Sequence, residues 1–168
     1  MKNDKFKEKG HLPVYGVGPV CVYLMVGVLI LLVVLRHFGV LDSGAVPELR
    51  VPFSVVGVVL IAGGVYMWIS TVIIGRISDD ILENRLCTTG MYAIVRNPIY
   101  SAIAIALTGV GLLLCNWWFL LFPVFCWVDI TLMMKATEEK WLVDVSGEEY
   151  VDYSKRVNRC IPWFPRKK

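Results

Sequence analysis

The stretch Val14–Leu35, VYGVGPVCVYLMVGVLILLVVL, runs 22 residues without a charged side chain. As a helix rising ~1.5 Å per residue it reaches about 33 Å, enough to cross a hydrocarbon core of roughly 30 Å. It is longer than the apolar region of a cleaved secretory signal, and no small-residue cleavage pattern follows it. A second uncharged run of equal length, Phe53–Ile74, carries Gly57, Gly63 and Gly64. Such small residues let neighbouring membrane helices approach closely. Two shorter runs, Pro98–Leu114 and Trp117–Met134, are separated only by Cys115 and Asn116. So short a link makes an antiparallel hairpin. Trp117 and Trp118 then stand at its turn, where amphipathic rings favour the membrane interface. The expected fold is all-α and integral to the membrane, with about four transmembrane helices and C-terminal helices in the cytoplasm.

Composition agrees with that expectation. Hydrophobic residues make up 57% of the 168 and charged residues only 18%, with a mean hydropathy of +0.63. Soluble domains are about one quarter charged. A disordered chain, a nucleic-acid-binding arm and a secreted disulfide scaffold are all poor fits. The 5 cysteines include no Cys-x-x-Cys pair and the 2 histidines are isolated, so the ligand spacing of a zinc site is missing. Neither a metal nor a nucleic-acid partner is expected, and the cysteines read as small apolar filler. Of the 17 lysines and arginines, all but Arg36 and Arg50 fall on the side shared by the N-terminus, the 75–97 loop and the C-terminal tail. By the positive-inside rule both termini are expected in the cytoplasm. The basic rim there suits the anionic headgroups of membrane lipids.

The chain therefore divides into a cytoplasmic N-terminal segment over 1–13, a transmembrane bundle over 14–134 and a cytoplasmic helical segment over 135–168. In the last of these, Lys135–Val145 reads as a continuation of the fourth helix, with Gly147 as its C-terminal cap. Glu148–Arg159 reads as an amphipathic helix, with Tyr150, Tyr153 and Val157 on one face and Pro162 as its stop. Asp129 is unusual, since an acid inside a span is expensive and is paired or functional when it occurs.

Two cytoplasmic stretches carry the residues with chemical potential. In Leu86–Tyr100, LCTTGMYAIVRNPIY, Gly90 permits a turn, Asn97 suits an N-cap and Pro98 suits the first helical position. The free N–H groups of that helix start, beside Arg96, make an anion site or simply a helix start with a snorkelling arginine. Beyond the fourth span, Glu138 and Glu139 offer carboxylates to an ammonium or to ribose hydroxyls, or else form an ordinary solvated turn.

Taken in order, Gly90, Tyr92, Arg96, Asn97, Pro98, Tyr100, Glu138, Glu139, Gly147, Tyr150, Tyr153, Arg159 and Pro162 resemble the isoprenylcysteine carboxyl methyltransferase family. The phospholipid N-methyltransferases share a related membrane architecture. The resemblance covers residues 84–162, about half the chain. It implies an integral-membrane methyltransferase that binds S-adenosyl-L-methionine from the cytoplasm without a soluble Rossmann-type fold. It assigns cofactor contacts to Asn84, Arg85, Leu86, Cys87, Tyr92, Asn97, Pro98, Ile99, Tyr100 and Glu138, so that the 135–168 segment completes the cofactor site. Arg96, Tyr100 and Glu138 are the residues it implies for catalysis. The implied acceptor is a lipophilic small molecule, lipid-like or prenylated, methylated on a carboxylate or an amine. Eukaryotic members place a substrate-contacting arginine where this chain has Met134, which leaves amine and other lipid heads open. In the phospholipid branch a Gly-x-Gly is assigned to the cofactor; Gly109 and Gly111 read more simply as packing residues. A non-enzymatic four-span carrier or complex subunit also accounts for the spans, Asp129 and the charge bias, but not for the ordered cytoplasmic residues.

Overall fold

A computed structural model describes residues 18–74 and 86–164. Helix α1 spans Gly18–His37 and α2 spans Arg50–Ile69, the latter prolonged by a wider π turn over Ser70–Ile74. Helix α3 spans Pro98–Leu112; a 3-10 turn, Trp117–Leu121, then leads into α4, Phe122–Ala136. Two short helices follow, α5 over Glu138–Ser146 and α6 over Glu148–Arg156. The all-α membrane class expected from the apolar runs is what the described residues form.

Three segments are long and apolar enough to cross a membrane: Gly18–His37, Pro47–Ile74 and Trp117–Ala136. The fourth run is shorter than the sequence suggests, because α3 has only 15 residues, about 22 Å at ~1.5 Å per residue. Its position explains how a short helix is tolerated. Helix α3 packs most extensively against α2 and also touches α1 and α4. Beside its two ends the backbone is bonded within the protein, the Arg96 N–H to the Asn158 carbonyl and the Val46 N–H to the Cys115 carbonyl.

The α2–α3 contact depends on missing side chains. A Cβ on Gly57 would lie 2.8 Å from the Gly109 carbonyl oxygen, and one on Gly64 would lie 2.6 Å from that of Ala102. Gly109 serves this packing, and Gly111 lies against the Phe119 ring. Gly63 does not take part: nothing lies within 4 Å of where its Cβ would be.

At one end of the bundle the two interhelical loops are joined. Ala45 pairs with Asn116 in an antiparallel bridge, and the Val46 N–H donates to the Cys115 carbonyl at 3.0 Å. The Asn116 side chain is fully buried; it donates to the Leu41 carbonyl at 2.7 Å and accepts from the Trp118 N–H at 3.0 Å. Trp117 and Trp118 stack there with ring centroids 4.2 Å apart. The expected α3–α4 hairpin is present, and it turns at the same end as the α1–α2 connection.

Two boundaries differ from the sequence expectation. Helix α4 does not continue through Val145, because Thr137 leaves helical geometry at φ −133°, ψ −80°. Its hydroxyl turns back to donate to the Met133 carbonyl at 2.7 Å, an alternative partner that competes with helix continuation. Helix α6 ends at Arg156 rather than at Arg159, because Val157 adopts an extended backbone. Its buried face is the expected one: Tyr150, Tyr153 and Val157 form a small core with Leu86 and Leu142. Gly147 caps α5 at φ +58°, with its N–H donating to the Val143 carbonyl at 2.8 Å.

Candidate functional site

The end opposite the joined loops is built from the 86–97 stretch, the starts of α3 and α5, and the segment after α6. Gly90, at φ +58°, opens a 3-10 turn over Gly90–Ala93. This turn is fastened to the C-terminal segment at several points. The Tyr153 hydroxyl donates to the Tyr92 carbonyl at 2.6 Å, and the Arg96 N–H donates to the Asn158 carbonyl at 2.8 Å. Val95, fully buried, pairs with Asn158 in a parallel bridge, and the Trp163 N–H reaches the Ile94 carbonyl at 3.3 Å. Residues separated by some sixty positions thus form one unit.

Asn97 occupies the N-cap position of α3 and Pro98 the first helical position, as expected. The Asn97 side chain makes no capping bond, however; its amide donates to the Arg159 carbonyl at 3.1 Å. The cap expected from its residue type is replaced by a tether to the C-terminal segment.

Glu139 is the centre of the charge network. Arg159 donates to it from both Nε and Nη2, the latter at 2.9 Å from Oε2. Arg96 Nη1 lies 3.2 Å from Glu139 Oε1 and donates to the Tyr150 hydroxyl at 3.1 Å. The Arg96 side chain is 9% exposed, and its Nε is buried without a partner. The hydrogen bonds to Glu139 hold the Arg159 guanidinium above its ordinary range. Arg96, for which the sequence left open an anion site or a snorkelling side chain at a helix start, has its charge answered by Glu139. The sequence offered Glu139, with Glu138, to a ligand ammonium or ribose hydroxyls or to a solvated turn; the structure pairs it with Arg96 and Arg159, from two distant segments.

Glu138, the first residue of α5, has a different environment. Tyr100, on the first turn of α3, donates its hydroxyl to Glu138 Oε1 at 3.1 Å. Among the described residues no cation pairs with this carboxylate. Burial pushes the Glu138 carboxyl up, and the Tyr100 hydrogen bond partly offsets that rise. Tyr92 lies within electrostatic reach of Cys87, Tyr100 and Glu138, and burial pushes its hydroxyl above the ordinary tyrosine range. Cys87, Tyr92, Tyr100 and Glu138 therefore share one neighbourhood. Pro98 is buried, Ile99 half-buried, and Leu86 packs on the Tyr150–Tyr153 core. Asn84 and Arg85 lie outside the described residues. Among the described residues no three His, Cys, Asp or Glu side chains are grouped as a metal would need.

Residues 53–149 match the model of the phospholipid methyltransferase family. The chain belongs to that family. Three curated relatives give the match more detail. It is 37% identical over 84 residues to protein-S-isoprenylcysteine O-methyltransferase of Schizosaccharomyces pombe, covering 49% of this chain and 35% of that protein. It is 33% identical over 82 residues to protein-S-isoprenylcysteine O-methyltransferase B of Arabidopsis thaliana, covering 48% and 41%. It is 29% identical over 130 residues to methanethiol S-methyltransferase 1 of Bradyrhizobium diazoefficiens, covering 70% and 44%. The chain thus spans less than half the length of these relatives. No solved structure matches. The stretch matched to the phospholipid methyltransferase family runs from α2 into α6 and includes Tyr92, Arg96, Tyr100, Glu138 and Glu139. Helix α1 and the partners Tyr150, Tyr153 and Arg159 lie outside it.

Proposed function

We propose that this protein is a membrane methyltransferase that takes its methyl group from S-adenosyl-L-methionine and transfers it to an acceptor with a lipophilic body. The observation that carries this reading is the Tyr100–Glu138 pair. A half-buried carboxylate with a neutral hydrogen-bond partner and no described counter-ion is suited to a cationic ligand. Neutralising such a carboxylate recovers part of its desolvation cost. The donor set fits the cofactor, which carries an ammonium, a sulfonium and ribose hydroxyls. When bound, S-adenosyl-L-methionine supplies a methyl group already activated by the sulfonium charge.

The chain's own residues bind, orient and exclude water. Glu138 holds the ammonium or the ribose hydroxyls through charge-assisted hydrogen bonds. Tyr92 and Tyr100 add aromatic surface beside the positive charge. Leu86, Cys87, Asn97, Pro98 and Ile99 form the rest of the cofactor's surroundings, with Asn84 and Arg85 at the start of the same stretch. Arg96 acts as a positioning residue, since it holds the 92–97 turn through Glu139 and Tyr150. Alignment of donor and acceptor in a dry site is then the main catalytic contribution. An amine or thiol acceptor must lose a proton, whereas a carboxylate needs no base. The isoprenylcysteine in the names of two relatives supports a lipophilic acceptor, whereas methanethiol, in the third, is a small thiol. The basic side of the molecule, with both termini, faces the cytoplasm in this reading.

Calorimetry on purified protein tests it. Glu138→Gln and Tyr100→Phe each weaken S-adenosyl-L-methionine binding by about tenfold to a hundredfold, the loss of one hydrogen bond to a charged group. Glu149→Gln, at an exposed position of α6, leaves the affinity unchanged. Equal affinity in the parent and all three variants overturns the assignment.

A further inference from the structure

Helix α1 lies outside the family match, yet its first turn meets the candidate site. A Cβ on Gly18 would fall well inside contact distance of the Tyr100 hydroxyl, and 2.7 Å from the ring carbon that bears it. Gly18 is buried, so this space is not open to solvent. Three residues on, the Cys21 thiol donates to Asp129 Oδ2 of α4 at 3.1 Å, with both residues buried. Gly18, Cys21, Met25 and Leu29 form the buried face of α1. The helix is therefore held to α4 by a hydrogen bond within the bundle and presents a bare backbone to Tyr100. This accounts for Asp129, the acid inside a span, which has a partner on a different helix.

We infer that α1 is a working part of the methyl-donor site: Gly18 seats the Tyr100 hydroxyl on Glu138, and the Cys21–Asp129 hydrogen bond keeps α1 in place to do so. Gly18 is a positioning residue that acts through Tyr100. An added methyl at Gly18 meets the far end of a flexible side chain, while the bond to Asp129 holds α1 on α4. Tyr100 gives way rather than the helix. The fold survives and the Tyr100–Glu138 bond is lost.

This inference rests on the cofactor reading, and its test separates the two. The groups around Glu138 are Tyr100 from α3, Tyr92 from the 90–93 turn and Cys21 from α1. The Tyr100 bond lowers the Glu138 carboxyl pKa, so its loss moves the titration midpoint upward. Isotope-edited infrared spectroscopy of 13C-glutamate-labelled protein, with the Glu138→Gln spectrum subtracted, reads that midpoint without any ligand. Gly18→Ala raises the midpoint, as Tyr100→Phe does, whereas Gly27→Ala, with nothing within 4 Å of its Cβ, does not. Thermal melting of Gly18→Ala stays at the parental temperature. In calorimetry Gly18→Ala weakens S-adenosyl-L-methionine binding about tenfold or more, and Gly27→Ala binds as the parent. An unchanged midpoint in Gly18→Ala overturns the inference. A shifted midpoint in a protein whose parent form binds no S-adenosyl-L-methionine upholds the seating of Tyr100 and overturns the cofactor reading instead.

Discussion

Glu138 and Glu139 are neighbours in sequence with opposite surroundings. Glu139 is held by two arginines from separate segments, whereas Glu138 is half-buried against a tyrosine. Their neutral variants are therefore expected to affect stability differently. Glu139→Gln leaves Arg96, 9% exposed, with an unbalanced charge. Removing one partner of such a partly buried pair costs on the order of 1–3 kcal/mol. Glu138→Gln removes a carboxylate whose ionised form burial already disfavours, so it leaves stability unchanged or raises it. Thermal melts in detergent should show Glu139→Gln well below the parent and Glu138→Gln at or above it. The reverse order would remove the distinction between a structural and a ligand-facing acid. Residue types and their order pointed to Glu138, Tyr92 and Tyr100. They did not indicate the role of Glu139, because its partner Arg159 is 20 residues away and the pairing arises only when the C-terminal segment folds back.

Among the helices, the locally encoded features were legible in the sequence and the long-range ones were not. Apolar runs located α1 to α4, and spacing located the buried face of α6. The break at Thr137 depends on one hydroxyl turning back on the chain, and the end of α6 depends on the pairing of Val95 with Asn158. Neither shows in composition. The glycines of α2 illustrate the same limit, since sequence alone does not separate Gly63 from Gly64. In the structure Gly64 faces α3, where a Cβ would lie 2.6 Å from a backbone oxygen that has little freedom to move, and Gly63 faces outward. Gly64→Ala is expected to force α2 away from α3 and destabilise by about 1–3 kcal/mol, the usual effect of overpacking. Gly63→Ala is expected to stabilise by up to about 1 kcal/mol, because alanine is the better helix former. Melting temperatures that move in the same direction for both variants would show that the α2–α3 contact does not depend on this register.

For the molecule as a whole, the joined loops lie at one end of the bundle and the candidate site at the other. Arg36 and Arg50 belong to the loop end, at the last turn of α1 and the start of α2. Every other lysine and arginine placed by the structure lies on the last turn of α4 or beyond it, or in the stretch leading into α3. A charge bias of this kind orients membrane proteins with the basic end inside. A donor made in the cytoplasm would then reach Glu138 and Tyr100 without crossing the bilayer. Two exposed positions report on the two ends: Glu48 beside the joined loops and Lys155 on α6. With Cys87 and Cys115, the two cysteines that are not fully buried, changed to serine, single variants Glu48→Cys and Lys155→Cys can be treated with a membrane-impermeant maleimide. Glu48→Cys is expected to react in intact cells, and Lys155→Cys only after the membrane is permeabilised. The opposite pattern would place the Tyr100–Glu138 pair on the outer face, away from any cytoplasmic methyl donor, and the cofactor reading would fall with the orientation.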